Sequence, residues 1–145
     1  MVQGKIILIG GRGEDPNDSD DFMEFDSVIE WDPITDKWRH LNKLKCPRAE
    51  PKLCVTGGKI FVVGGRGWQD EEDGEEEARN TGEFLDLKES NPEWKWWSCI
   101  KSSSFEPVSI VNTNTDGHIY VYGERWDDHY NLMEGSFHHY DLMKG

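Results

Sequence analysis

Three short runs in this chain are apolar or aromatic at every position: residues 6–9 (IILI), 60–63 (IFVV) and 119–122 (IYVY). Alternating apolar and polar residues mark a strand with one wet face, whereas an unbroken short run marks a strand covered on both. Each run closes on a glycine and, two residues later, an arginine: Gly10-Gly11-Arg12, Gly64-Gly65-Arg66 and Gly123-Glu124-Arg125. Further elements recur in the same order along the chain, at steps of 54 to 58 residues. Glu30-Trp31-Asp32, Phe84-Leu85-Asp86 and His139-Tyr140-Asp141 form one series, and Lys37-Trp38 and Lys95-Trp96 another. Glu50-Pro51 and Glu106-Pro107 each precede a further stretch rich in apolar residues. Elements that recur in one order at a nearly constant spacing identify a repeat architecture.

Each unit reads as four short strands, a to d. Strand a falls at about 51–56 and 107–112, and strand b at 5–9, 59–63 and 118–122. Strand c falls at 26–32, 82–87 and 136–142, and strand d at 37–41 and 95–100. Asp32-Pro33-Ile34-Thr35-Asp36-Lys37 is turn chemistry between c and d. The glycine pair after strand b permits a sharp bend and a close backbone approach that a Cβ would hinder. Trp31, Trp38 and Trp96 occupy repeat-equivalent strand positions and are expected in the core.

A β-propeller covers an inner strand on both faces, because neighbouring blades sandwich it. The order of motifs resembles the kelch repeat: a strand ending in Gly-Gly, an aromatic-Asp, Pro33-x-Thr35-x-x-Trp38, then Cys46-Pro47-Arg48 before the next strand a. The match is best over 26–65 and extends over essentially the whole chain. The third unit departs from it, with Glu124 in place of the second glycine and no Trp element. The expected fold is all-β: a kelch-type propeller segment of about three four-stranded blades, at 1–46, 47–102 and 103–145. The first blade lacks strand a, the last lacks strand d, and the ring is incomplete. An open stack exposes apolar faces at its ends, so the expectation is a fragment of a longer protein, or copies that self-associate to complete a ring.

The Pro-x-Thr-x-x-Trp wording is most similar to the BTB-kelch proteins. That resemblance implies a protein- or peptide-binding module without catalysis of its own. It further implies substrate recognition for a cullin-type ubiquitin ligase, whose machinery would be reached through domains outside this chain. A cytoskeletal (actin-associated) or scaffolding kelch protein is the first alternative. A kelch-propeller enzyme is the second, and its oxidase form needs copper held by Tyr, His and Cys side chains.

Composition narrows the partners. The chain has 145 residues, 29 acids against 16 bases and a formal net charge of −13, which disfavours nucleic acid and anionic membrane. Seven Trp, six Phe and four Tyr argue for a packed core despite 35% apolar residues and a mean hydropathy of −0.78. The acids cluster at 14–26 and 70–77, seven in each, which predicts solvated, mobile loops and a field that steers a basic partner. Cys46, Cys54 and Cys99 form no CxxC pair and leave an odd count, as reduced thiols of a cytoplasmic or nuclear protein do. The apolar run at the N-terminus is too short for a signal-peptide core.

Arg12, Arg66 and Arg125 stand at equivalent positions where strand b leads toward strand c, and are expected on one rim. Trp68 and Trp126 follow in units two and three, and an aromatic beside Arg on a loop is the makeup of a binding hot spot. By resemblance, the loop into strand a adds Arg48, Glu50 and Glu106. The plainer alternatives are that each Arg neutralises its own acidic loop, Arg12 with Glu14 or Asp15, and that the Trp side chains pack on a neighbouring blade. Gly10-Gly11-Arg12-Gly13 lacks the GxGxxG spacing, precedes Pro16 and is a repeat element, so it is no nucleotide loop. His129, His138 and His139, near Asp127, Asp128 and Glu134, have no metal-ligand spacing. No catalytic residue, metal or cofactor is predicted. The expected ligand is a mixed-charge peptide whose acidic group meets Arg and whose basic flank meets the acidic loops.

Overall fold

The computed structural model describes residues 3–66, 81–101, 106–113, 118–126 and 132–141. Among these described residues the strands are β1 (Ile6–Ile9), β2 (Arg12–Asp15), β3 (Asp18–Glu24), β4 (Val28–Asp32), β5 (Lys37–His40), β6 (Lys52–Thr56), β7 (Lys59–Val63), β8 (Thr81–Asp86), β9 (Lys95–Lys101), β10 (Glu106–Thr113), β11 (His118–Trp126) and β12 (Leu132–Asp141). They form three antiparallel blades, β1-β4-β5, β6-β7-β8-β9 and β10-β11-β12, and a separate hairpin, β2-β3. In the lettering of the repeat these blades are b-c-d, a-b-c-d and a-b-c, as the sequence predicts.

The unbroken apolar runs behave as their pattern requires. Along β7, Ile60 and Val62 face one neighbour and Phe61 and Val63 the other, and all four are at most 2% exposed. Ile60, Val62, Leu85 and Trp94 pack with Val28, Leu44, Ile7 and Ile9, which joins the first two blades. Phe61, Val63, Cys54 and Trp97 pack with Ile110, Ile119 and Val121, which joins the second and third. Phe61 also stacks on Phe84 with ring centroids 5.9 Å apart. Burial pushes the Cys54 thiol above its ordinary range, because a thiolate there loses its surrounding water.

The turn from β4 to β5 follows its sequence closely. Asp32 Oδ1 accepts the backbone N–H groups of Ile34 at 2.9 Å and Thr35 at 3.3 Å. Those two bonds hold its carboxyl below the usual carboxylate range. Asp36 adopts the left-handed conformation at φ +54° and accepts the Trp31 indole N–H at 3.0 Å.

Two expectations need correction. Trp38 and Trp96 are not core residues: they are 60% and 39% exposed, and Trp31 is only partly buried. Trp31 and Trp38 are opposed across β4 and β5 and stack on each other at 5.7 Å, on the face of the first blade that turns away from the second. The buried indoles are Trp94 and Trp97, at 3% and 6% exposure. Nor is 14–26 a structureless loop. Most of it is the β2-β3 hairpin, closed by Pro16 and Asn17 between the paired Asp15 and Asp18. The acidic run 70–77 lies outside the described residues.

The outward face of the first blade carries Ile6 and Leu8, 36% and 50% exposed, at the repeat positions of Ile60 and Val62, which are 1% and 0% exposed. The same residue type thus occupies one position in two environments. Ile60→Ala should destabilise the chain by about 2–5 kcal/mol, through lost burial and the cavity it leaves. Ile6→Ala should cost less than half as much. Urea unfolding followed by tryptophan fluorescence measures both, and equal losses would show that this outward face is covered in solution.

Candidate functional site

The candidate site is built on the connector that leaves β5 on the outside of the first blade and returns to β6 on the inside of the second. It threads between the two blades, bonded to each in turn. Leu44 donates its N–H to the Asp26 carbonyl at 2.9 Å, and Arg48 donates its own to the Phe25 carbonyl at 3.1 Å. On the other side, the Lys45 N–H goes to Glu83 Oε1 of β8 at 2.5 Å. Leu44, Cys46, Arg48 and Ala49 are all buried.

Arg48 is fully buried at 0% exposure, as is its partner Glu83. Its Nε donates to Glu83 Oε2 at 2.9 Å, and its Nη1 donates to the carbonyls of Gly64 at 2.8 Å and Thr81 at 3.2 Å. Nη2 donates to Thr81 Oγ1 at 2.9 Å. The Cys46 thiol lies 3.8 Å from the same Glu83 oxygen. A guanidinium presents donors in a rigid fork, so one side chain serves a strand-b carbonyl, a strand-c carbonyl and a carboxylate together. Arg48 was expected to face a partner, and the structure corrects that: it fastens the connector to the second blade.

The glycine pairs make room for this path. Gly10 has φ +64°, and a Cβ there would lie 2.2 Å from the Arg48 carbonyl oxygen, inside any allowed contact. Gly65 has φ +93°, and its Cβ would lie 2.8 Å from the Ala49 oxygen. The Gly11 N–H instead donates to that Arg48 carbonyl at 2.8 Å.

Beyond Arg48 the connector reaches the surface. Ala49 and Arg66 exchange both backbone hydrogen bonds, at 2.7 and 2.9 Å. This brings Glu50 beside Arg66, whose Nη2 lies 2.9 Å from Glu50 Oε2. Both side chains are mostly exposed. Glu50 sits at φ +54°, a left-handed conformation that costs a residue with a Cβ about 1–2 kcal/mol. The bridge on one side and Pro51 on the other hold it there. Among the described residues, Arg66 therefore pairs with the connector.

Arg12 opens β2, and its guanidinium stands 4.6 Å from the Phe22 ring centroid on β3. This is a cation–π contact. Arg125 and Trp126 close β11, opposite Glu134 and Leu132 of β12, and Glu106 opens β10 opposite Glu124. The side chains of these three lie outside the described residues, as do Trp68 and His129 and the side chains of His138 and His139. Arg12 and Arg66 lie beyond the ends of β1 and β7, whereas Arg125 lies within the last residues of β11. Among the described residues no group of three or more His, Cys, Asp or Glu is placed to hold a metal ion.

Glu83 is absent from the site residues that the repeat pattern and the resemblance point to. The available signal was its position, since its repeat equivalent in the first unit is Ile29, and a charge in an apolar slot of a buried strand requires a partner.

Comparison with known proteins agrees with this architecture. No family model matches the chain. It is 28% identical over 116 residues to a putative F-box/kelch-repeat protein of Arabidopsis thaliana, covering 80% of this chain and 36% of that one. It is 26% identical over 129 residues to Kelch repeat and BTB domain-containing protein 12 of Danio rerio, covering 84% and 20%. A 59-residue stretch, 41% of this chain and 9% of the relative, is 40% identical to Kelch-like protein 22 of Xenopus tropicalis. Among solved structures, YjhT superposes with a TM-score of 0.63 at 13% identity, over 94% of this chain and 49% of that one. The chain is thus similar to kelch-repeat proteins over most of its length, and its sheets are blades of a β-propeller segment. It spans about a third or less of the length of these curated relatives.

The buried pair has a measurable signature. Glu83→Ala or Arg48→Ala, each leaving one charge buried alone, should cost about 3–5 kcal/mol in chemical denaturation. The joint change Arg48→Met with Glu83→Leu should recover part of that loss, because neither charge is then stranded although the Lys45 N–H and the Gly64 and Thr81 carbonyls lose these partners. A Glu83→Ala loss under about 1 kcal/mol would contradict the arrangement.

Proposed function

We propose that this chain is a protein-recognition module whose contact surface is the rim at the strand-b ends, and that it selects substrates for a cullin-type ubiquitin ligase. The observation that carries the first part is the exposed Arg66–Glu50 pair. It is held on a bridge between the connector and strand b and projects from a rigid, buried base. Rigid presentation of charged groups on loops is how a repeat scaffold supports recognition while its core stays constant. The ligase part is supported by the printed names of the relatives, which carry F-box and BTB beside kelch. Arg donors pair with carboxylates in fixed directions and set the register of a ligand. The net charge of −13 gives a basic region of the partner a favourable approach.

The two parts can be tested separately. In cells, proteins bound to the full-length gene product should accumulate when cullin ligases are inhibited, and unchanged levels would overturn the ligase part. In binding kinetics, Arg66→Ala should raise the dissociation rate about tenfold or more, while neutralising 70–77 should slow association and weaken its salt dependence. Arg66→Ala that leaves dissociation unchanged would overturn the rim.

A further inference from the structure

Residues 12–24 hold six acids and a single base, yet they place large apolar groups at the surface. Phe22 and Met23 are 44% and 37% exposed. With Pro47 of the connector and with Asp15, Asp21 and Glu24, they line an open groove of about 310 Å³. A groove with an apolar floor and acidic walls does not resemble a cation site, whose ligands are oxygens throughout.

The acids of this hairpin are not equivalent. Asp15 Oδ1 accepts from the Asn17 backbone N–H at 2.7 Å and from its amide at 3.2 Å. Asp18 Oδ1 accepts from the Asp20 N–H at 3.1 Å, and Asp21 Oδ1 from the Phe22 N–H at 2.8 Å. Glu24 differs. Its Oε2 is buried and accepts no hydrogen bond from the described residues. Arg12 is its register partner across the hairpin and the one base nearby in sequence, but lays its guanidinium on the Phe22 ring instead. A carboxylate oxygen removed from water without a donor is costly, and an incoming donor relieves that cost. The terminal torsion of Glu is broad, so the carboxylate can swing toward such a donor.

We infer that this groove docks a basic–apolar segment of a partner protein, with a Lys or Arg as its central residue. The aliphatic stem of that residue lies on Phe22, Met23 and Pro47, as long cationic side chains cover apolar surface, and its charged head meets Glu24. Flanking apolar side chains of the segment extend the contact on the hairpin. This assigns the partner class for one part of the rim and rests on the recognition reading above.

The test titrates the full chain with two labelled peptides, Leu-Arg-Leu-Lys-Leu and Leu-Glu-Leu-Glu-Leu, by fluorescence anisotropy. The basic peptide should bind and the acidic one should not. Glu24→Gln and Phe22→Ala should each weaken the basic peptide about tenfold or more, with melting temperatures held near that of the parent chain. Equal binding of the basic peptide by Glu24→Gln would overturn the proposal, because general acidity would then account for the attraction. Binding of the acidic peptide, lost in Arg66→Ala and untouched by Glu24→Gln, would overturn the groove and leave the rim reading standing. Binding of neither peptide, together with self-association that Phe22→Ala abolishes, would show a second copy in the groove and overturn the proposal as well.

Discussion

Two opposite charges, the Arg48 guanidinium and the Glu83 carboxylate, meet between the first two blades with no exposed surface on either side chain. Removing each ion from water costs several kcal/mol, and mutual attraction offsets this only when the remaining donors and acceptors are also matched. Here they are matched by the carbonyls of Gly64 and Thr81, the Thr81 hydroxyl and the Lys45 N–H. The consequence is directional. An apolar contact in that position would tolerate sliding of the connector, whereas these bonds accept one path. The connector is therefore held on both sides, by blade one through Asp26 and Phe25 and by blade two through Glu83.

That fixed path is what makes a rim. Once Arg48 is anchored, Ala49 must pair with the backbone of Arg66, Glu50 must turn into a left-handed conformation, and the Arg66–Glu50 pair must stand at the surface. An exposed ion pair of this kind adds little to stability. Its position is inherited from the buried pair beneath it. The same connector sends Pro47 to the foot of the β2-β3 hairpin, so the groove beside Glu24 and the Arg66 corner share one support.

The blades differ where the repeat is not exact. Glu83 and Ile29 occupy equivalent positions, one bound to an arginine from the preceding connector and the other apolar and only partly covered. Ile6 and Ile60 differ only in whether a further blade lies against them. The tryptophans separate in the same way. Trp94 donates its indole N–H to the Asn42 carbonyl across the blade junction at 2.9 Å and is buried by that contact, while Trp38 stacks on Trp31 with solvent beyond.

The periodicity of the chain determined the strands and their pairing. The uninterrupted runs IILI, IFVV and IYVY, the Gly pairs and the Asp-Pro turn are local signals, and local hydrogen bonding and steric rules act on them directly. The positions of Arg12, Arg66 and Arg125 at the ends of strand b followed from that register alone. Tertiary structure decided what those positions do. A charged residue reads the same in a sequence whether it faces water or a carboxylate 35 residues away, so the repeat pattern points Arg48 to the rim and does not single out Glu83. Repeat alignment likewise assigned Trp38 and Trp96 to the core, because it records equivalence of position but not whether a neighbouring blade covers the face. The hairpin at 14–26 was obscured by its charge, which suggested solvated chain, while its two-residue turn and its Phe22–Arg12 contact supplied the pairing. Burial is a property of what packs across a surface, and in this protein that is settled between blades, by residues far apart in the chain.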